Sequence, residues 1–201
     1  LLLYAPGKGP SDEDFVAVAD VAEIPHLADR NWARFVQQSD YVLDWVAQYG
    51  APQLADQLSQ FDESDDVEIW LERLVATIAP DHPTPEFKLQ SAAGNRINFG
   101  NVNAWSKPTH SFAIQQQGRG YLYGKLHTTA PWLKVVPNTF AGQTTQILVE
   151  ADRGKMQSGA ANQAAIVIEP LDGRVASAQI AVSVHQKSVW KSVTGLFGGK
   201  G

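Results

Sequence analysis

The chain has no cysteine and a single methionine among 201 residues. Without cysteine there are no disulfides, no thiolate zinc sites and no cysteine nucleophile. No stretch approaches the roughly 18 consecutive apolar residues that a membrane-spanning helix needs. The opening Leu1-Leu2-Leu3-Tyr4-Ala5-Pro6 is too short for a signal peptide, has no basic stretch before it and no small-residue cleavage pattern after it. It reads as the tail of an element that begins elsewhere, and the chain as a fragment of a larger multidomain protein. Composition does not fix the compartment. Cytoplasm is the default, with a secreted or envelope-associated setting as the alternative.

Basic residues are scarce in the first 85 positions, where 16 acids face 4 bases, a balance of −12. Residues 86–201 carry 5 acids and 12 bases, a balance of +7, and the two together give the formal −5. Opposite charges attract within a Debye length of about 10 Å, so the two parts are expected to touch, acids facing lysines and arginines. Two separately solvated surfaces are the other reading. Hydrophobic residues make up 44 % of the chain, enough for one or two cores.

The apolar period changes along the chain. Before Pro85 it is close to 3.6. Ser11 ahead of Asp12, Glu13 and Asp14 predicts a capped helix running into Phe15, Val16 and Val18. Asp29 predicts a second cap before Trp32, Phe35 and Val36, and Ser39 a restart before Val42, Leu43, Trp45, Val46 and Tyr49, all on one face. Gly50 reads as a stop and Pro52 as the opening of a short helix through Leu54, Ala55 and Leu58. Ser64-Asp65-Asp66 caps a helix carrying Val67, Trp70, Leu71, Leu74, Val75 and Ile78. Prolines 80, 83 and 85 end it.

After Pro85 the period is about 2, in the pairs Ile97 and Phe99, Phe112 and Ile114, Ile147 and Val149, Ile166 and Ile168, and in Ile180, Val182 and Val184. Turn signals separate them, and seven or eight short antiparallel strands are expected. The fold class is thus α+β by segregation: an acidic helical region over 1–80, a Pro-rich linker over 81–85, an all-β immunoglobulin-like antiparallel sandwich over 86–185, and a tail over 186–201. In that tail Val189, Trp190, Val193, Leu196 and Phe197 recur at helical spacing. Docking on the chain's own helical part is the expected use of it, with a partner or an anionic membrane as the alternatives.

Within the β part, Ile97-Asn98-Phe99-Gly100-Asn101-Val102, Phe112-Ala113-Ile114, Gly118-Arg119-Gly120-Tyr121-Leu122-Tyr123-Gly124-Lys125-Leu126 and Pro131-Trp132-Leu133-Lys134-Val135-Val136-Pro137 follow in order. This succession resembles the bacterial immunoglobulin-like repeats of the BACON and Hydin type. The resemblance covers about half the chain and implies an accessory, non-catalytic role beside other modules. Residues 1–80 resemble no family. Independently of the resemblance, Gly118 and Gly120 predict positive φ or close backbone approach, and Gly124 a bulge. Trp132 and Leu133, being adjacent, are expected on opposite faces of a strand with one in the core.

Motifs of catalysis are missing. The glycines of 118–124 lack a Walker Lys-Ser/Thr pair and do not open a helix. The histidines His26, His82, His110, His127 and His185 are far apart without metal-ligand spacing, and are read as exposed. The run Asp62–Asp66 lacks the alternation and central glycine of a calcium loop. Ser111 and Ser183, near histidines, fall on predicted strands rather than on a nucleophile elbow. The chain therefore reads as a non-enzyme with no cofactor and no metal. Its expected role is a protein-interaction or architectural module whose partner is a protein or a neighbouring domain. The alternative is a carbohydrate- or ligand-binding sandwich using exposed aromatics. Candidate binding residues are Trp105, Arg119, Tyr121, Tyr123 and Trp190, with Arg96, Lys107, Lys125 and Lys134 as a basic patch. Nucleic acid is disfavoured by the −12 region.

Overall fold

The computed structural model describes residues 1–5, 7–50, 52, 54, 56, 66–90, 95–103 and 107–187. They form two compact units, one of Leu1–Pro85 with Gly118–Tyr121, the other of Glu86–Gln117 with Leu122 onward. The short segment Gly118–Tyr121, flanked in sequence by strands of the second unit, folds with the first.

The first unit opens with a hairpin where a helix was expected. Strand β1 (Leu2–Tyr4) pairs antiparallel with β2 (Phe15–Ala17), Leu3 opposite Val16. The acids read as a helix cap have other uses: Asp12 Oδ2 accepts from the Gly9 amide at 2.9 Å, and Asp14 pairs with Arg34 at 2.6 Å. The open edge of the hairpin is satisfied by Gln38, whose amide donates to the Tyr4 carbonyl and accepts from the Tyr4 N–H.

Helix α1 (Ile24–Gln37) starts earlier than Asp29. Asp20 caps a 3-10 turn at Val21–Glu23 with a reciprocal capping box from Glu23, and a proline opens the α1 helix behind it. Near the expected start there is instead a kink at Asn31 (φ −132°, ψ 29°), whose side-chain amide donates to the Leu27 carbonyl at 3.0 Å. Asp29 thus lies inside the helix. α2 (Ser39–Tyr49) begins and ends where expected, but not with all its large side chains inward: Tyr49 is 63 % exposed and Tyr41 68 %. Pro52, Leu54 and Asp56 are helical. α3 (Val67–Ile78) is capped by Asp66, whose carboxylate accepts from the Glu68 amide at 3.0 Å. Leu3, Ile24, Phe35, Val42, Val46, Leu71 and Leu74 are buried together in the core of this unit.

The second unit is an immunoglobulin-like sandwich of two sheets. One has the strand order β4 (Arg96–Val102), β11 (Ala178–Gln186), β10 (Ala161–Pro170), β6 (Tyr123–Thr128), β8 (Thr139–Ala141). The other runs β3 (Glu86–Gln90), β5 (Thr109–Gln117), β9 (Thr144–Ala151), β7 (Leu133–Val136). Among the described residues the strands number nine rather than seven or eight, and the pairing of β4 with β11 is parallel. The inner faces hold the residues marked by the period of 2: Phe112, Ile114, Ile147 and Val149 from one sheet, Ile97, Ile166, Ile168, Ile180, Val182 and Val184 from the other.

Among the described residues the only helical turn in this unit is the three-residue Arg153–Lys155. The β4–β11 register slips by one residue between Ser183 and His185, and Gly100 sits in that bulge at φ +65°. Gly124 is not at a bulge. It pairs in register with Phe140 and Pro170, so closely that a Cβ would collide with the Phe140 ring. Trp132 and Leu133 are both buried, because Trp132 precedes β7 rather than alternating within it.

Candidate functional site

A dense set of charges among the described residues lies in the first unit. α3 supplies Glu72, α1 supplies Asp29, the segment after α3 supplies His82 and the Pro83 carbonyl, and Gly118–Tyr121 supplies Arg119. Gly118 (φ +73°) and Gly120 (φ +79°) hold Arg119 between two left-handed residues. A Cβ on Gly120 would strike the Glu72 carboxylate, so this glycine is required both for its conformation and for close approach.

The Arg119 guanidinium donates from Nη1 to Glu72 Oε1 at 2.8 Å, from Nη2 to Glu72 Oε2 at 3.2 Å, from Nη1 to the Pro83 carbonyl at 2.8 Å, and from Nε to Asp29 Oδ1. Glu72 Oε2 also accepts from the Tyr121 amide at 3.1 Å. Asp29 Oδ2 lies 2.9 Å from His82 Nε2, and the His26 ring meets that of His82 edge-on at 5.1 Å between centroids. The Glu72 side chain is 0 % exposed and that of Arg119 13 %. A buried carboxylate is tolerated only when paired and hydrogen-bonded, and the planar fork of arginine suits two-point pairing.

Tyr121 is half-buried and its hydroxyl donates to Asp66 Oδ2 at 3.3 Å. Partial burial, then the charges of Asp66 and Glu68, push the phenol above its ordinary pKa. Glu68 also accepts from Trp32 Nε1 at 3.2 Å.

The expected binding residues are not brought together as one surface. Arg119 and Tyr121 lie in the cluster. Tyr123 is a correction, because it is 3 % exposed, so its ring is no open stacking platform. Trp105, Trp190 and the tail from residue 188 lie outside the described residues. The basic patch is dispersed: Arg96 and Lys125 are on strands separated by β11 and β10, Lys134 is on the other sheet, and Arg119 is in the first unit. His82, read as exposed, has only 5 % of its side chain accessible.

From the sequence Glu72 was not singled out, Asp29 was read as a helix cap and His82 as an exposed histidine. Two signals were present: an acid inside the apolar run Trp70–Val75, and an arginine enclosed by two glycines.

Among the described residues no group of three or more His, Asp or Glu could hold a metal ion, and no helix is long and apolar enough to cross a membrane. The outer face of β4, β11 and β10 carries a shallow depression of about 470 Å³ lined by Arg96, Asn98, Gln163 and Ser183, with no aromatic residue in it.

No protein-family model matches the chain, nor does any curated protein sequence. Solved structures match about half of the chain. The human PapD-like domain 7 of CEP192 aligns at 8 % identity and TM-score 0.40, over 52 % of this chain and 87 % of that one. The E. coli chaperone DraB aligns at 14 % and 0.39, over 50 % and 55 %. A protein of unknown function from Porphyromonas gingivalis aligns at 19 % and 0.40, over 50 % and 46 %. This chain therefore spans about half of each of the last two.

Proposed function

We propose that the chain is a non-catalytic protein-interaction or architectural module, an acidic helical unit and a sandwich of the BACON and Hydin type that present surfaces to a protein partner. What supports the reading is how the strongest charges are spent. A general base or nucleophile needs a lone pair directed at substrate, whereas both Glu72 oxygens accept from Arg119 and one also from Tyr121. Four donations from Arg119 go to Asp29, Glu72 and Pro83. Such a cluster fixes a backbone rather than turning over a ligand.

The test is photocrosslinking in the producing cell, with benzoylphenylalanine placed at exposed positions of both units, Gln48 in α2 and Lys125 in β6 among them. Discrete protein adducts are the expected result. Saturable binding on an oligosaccharide array, with no protein adduct from any position, would transfer the chain to the ligand-binding class.

A further inference from the structure

The outer side of α2 carries two exposed tyrosines, with Trp45 half-buried between them against the core of the unit. Tyr41, Trp45 and Tyr49 follow at intervals of four, so they line one slanting row along the helix. Tyr41 is 68 % and Tyr49 63 % exposed, among the most exposed large hydrophobic side chains of the described residues. The Trp45 and Tyr49 rings stand 5.8 Å apart at 39°. Together with Leu1, Val18, Asp20 and Val21 they line a groove of about 430 Å³.

Carboxylates border the stripe on both sides. Asp20 lines the groove, and Asp40 and Asp44, exposed and four residues apart, run beside Tyr41. α2 contains no lysine or arginine, and none of these three aspartates is recorded in an ion pair among the described residues.

Two exposed tyrosine rings edged by unneutralised carboxylates are matched by a segment bearing lysine or arginine. Each cation lies over a ring within about 6 Å of its centroid while the carboxylates offset its charge. We infer that this face of α2 is the docking surface for a basic, arginine- or lysine-bearing segment of a protein partner. The inference rests on the protein-interaction reading and names the chemistry of the partner. Rings supply the attraction that persists in salt, and the acids supply the charge selection.

The probe is a fluorescein-labelled peptide of alternating Arg and Gly, with an Asp-Gly peptide of equal length as control, measured by anisotropy against the whole chain at about 0.15 M salt, where the Debye length is about 8 Å. Saturable binding of the Arg-Gly peptide alone is expected. The double variant Tyr41→Ala/Tyr49→Ala, altering two exposed side chains, should weaken it at least fivefold with an unchanged melting temperature. Asp40→Asn/Asp44→Asn should weaken it and flatten its salt dependence. No binding, or binding that the tyrosine variant leaves intact, overturns the inference. Protein adducts obtained from β6 but never from Gln48 would overturn it too while leaving the protein-interaction reading standing; absence of adducts everywhere would remove both.

Discussion

Arg119 and Glu72, 47 residues apart, meet in a two-point ion pair whose carboxylate is wholly inaccessible to water. Burying a charge this deeply is costly, and the cost is met by the second hydrogen bond, by the Tyr121 amide and by Asp29 on the far side of the guanidinium. The pair fixes Gly118–Tyr121 to the helices, although the strands flanking that segment belong to the other unit.

Removing one partner should therefore hurt more than removing both. Glu72→Ala leaves a mostly buried guanidinium with Asp29 as its remaining acid, and is expected to cost about 3 kcal/mol, the lower part of the range for broken buried pairs. Glu72→Leu with Arg119→Met replaces the pair by apolar volume and should cost clearly less. Hydrogen exchange of the α3 amides reads the difference; equal losses would mean the pair contributes packing alone.

Two glycines separate conformation from crowding. Gly100 (φ +65°) has open space where a Cβ would stand, whereas Gly120 (φ +79°) faces Glu72. Each alanine carries the left-handed penalty of about 1–2 kcal/mol, and Gly120→Ala must in addition displace the buried pair. Gly120→Ala should melt several degrees below Gly100→Ala, at about 2–4 °C per kcal/mol for a chain of this size. Identical melting in calorimetry would contradict the crowding seen at Gly120.

The sandwich was legible because half-burial writes itself locally: Ile97, Phe112, Ile114, Ile147, Val149, Ile166, Ile168, Ile180, Val182 and Val184 all alternate in sequence and all face the core. The starts of α2 and α3 were equally local. The hairpin Leu2–Tyr4 with Phe15–Ala17 was not, since Asp12 and Asp14 offer the chemistry of a helix cap, whereas Asp14 pairs with the distant Arg34 and the distant Gln38 holds the Tyr4 backbone. The charged cluster was illegible for the same reason. Asp29 is 90 residues from Arg119 and 53 from His82, and no local period relates them.

Tyr121 makes stability fall at high pH. Its folded pKa lies above the unfolded value near 10, so the native state holds the phenolic proton more tightly. That contribution is fully present below pH 10 and is lost as pH rises above it, because the unfolded chain ionises first. Tyr121→Phe should remove this share of the alkaline decline, at the price of one exposed hydrogen bond to Asp66. Urea midpoints measured from pH 8 to 11 decide it: parallel curves for the two proteins would show that Tyr121 ionises as easily folded as unfolded.

The last expectation concerns Tyr123, where a stacking role and a packing role make opposite forecasts. The residue lies on β6 opposite Ala141 and is 3 % exposed. Truncating a buried ring of that size removes its transfer free energy and leaves a cavity that neighbours fill only in part, about 3–5 kcal/mol for large aromatic residues. Tyr123→Ala should accordingly lower the urea midpoint sharply and strip exchange protection from β6, β8 and β10. Were Tyr123 a platform for sugar rings, the same substitution would leave the midpoint within about 0.5 kcal/mol of the parent, as exposed positions do, and abolish binding on an oligosaccharide array.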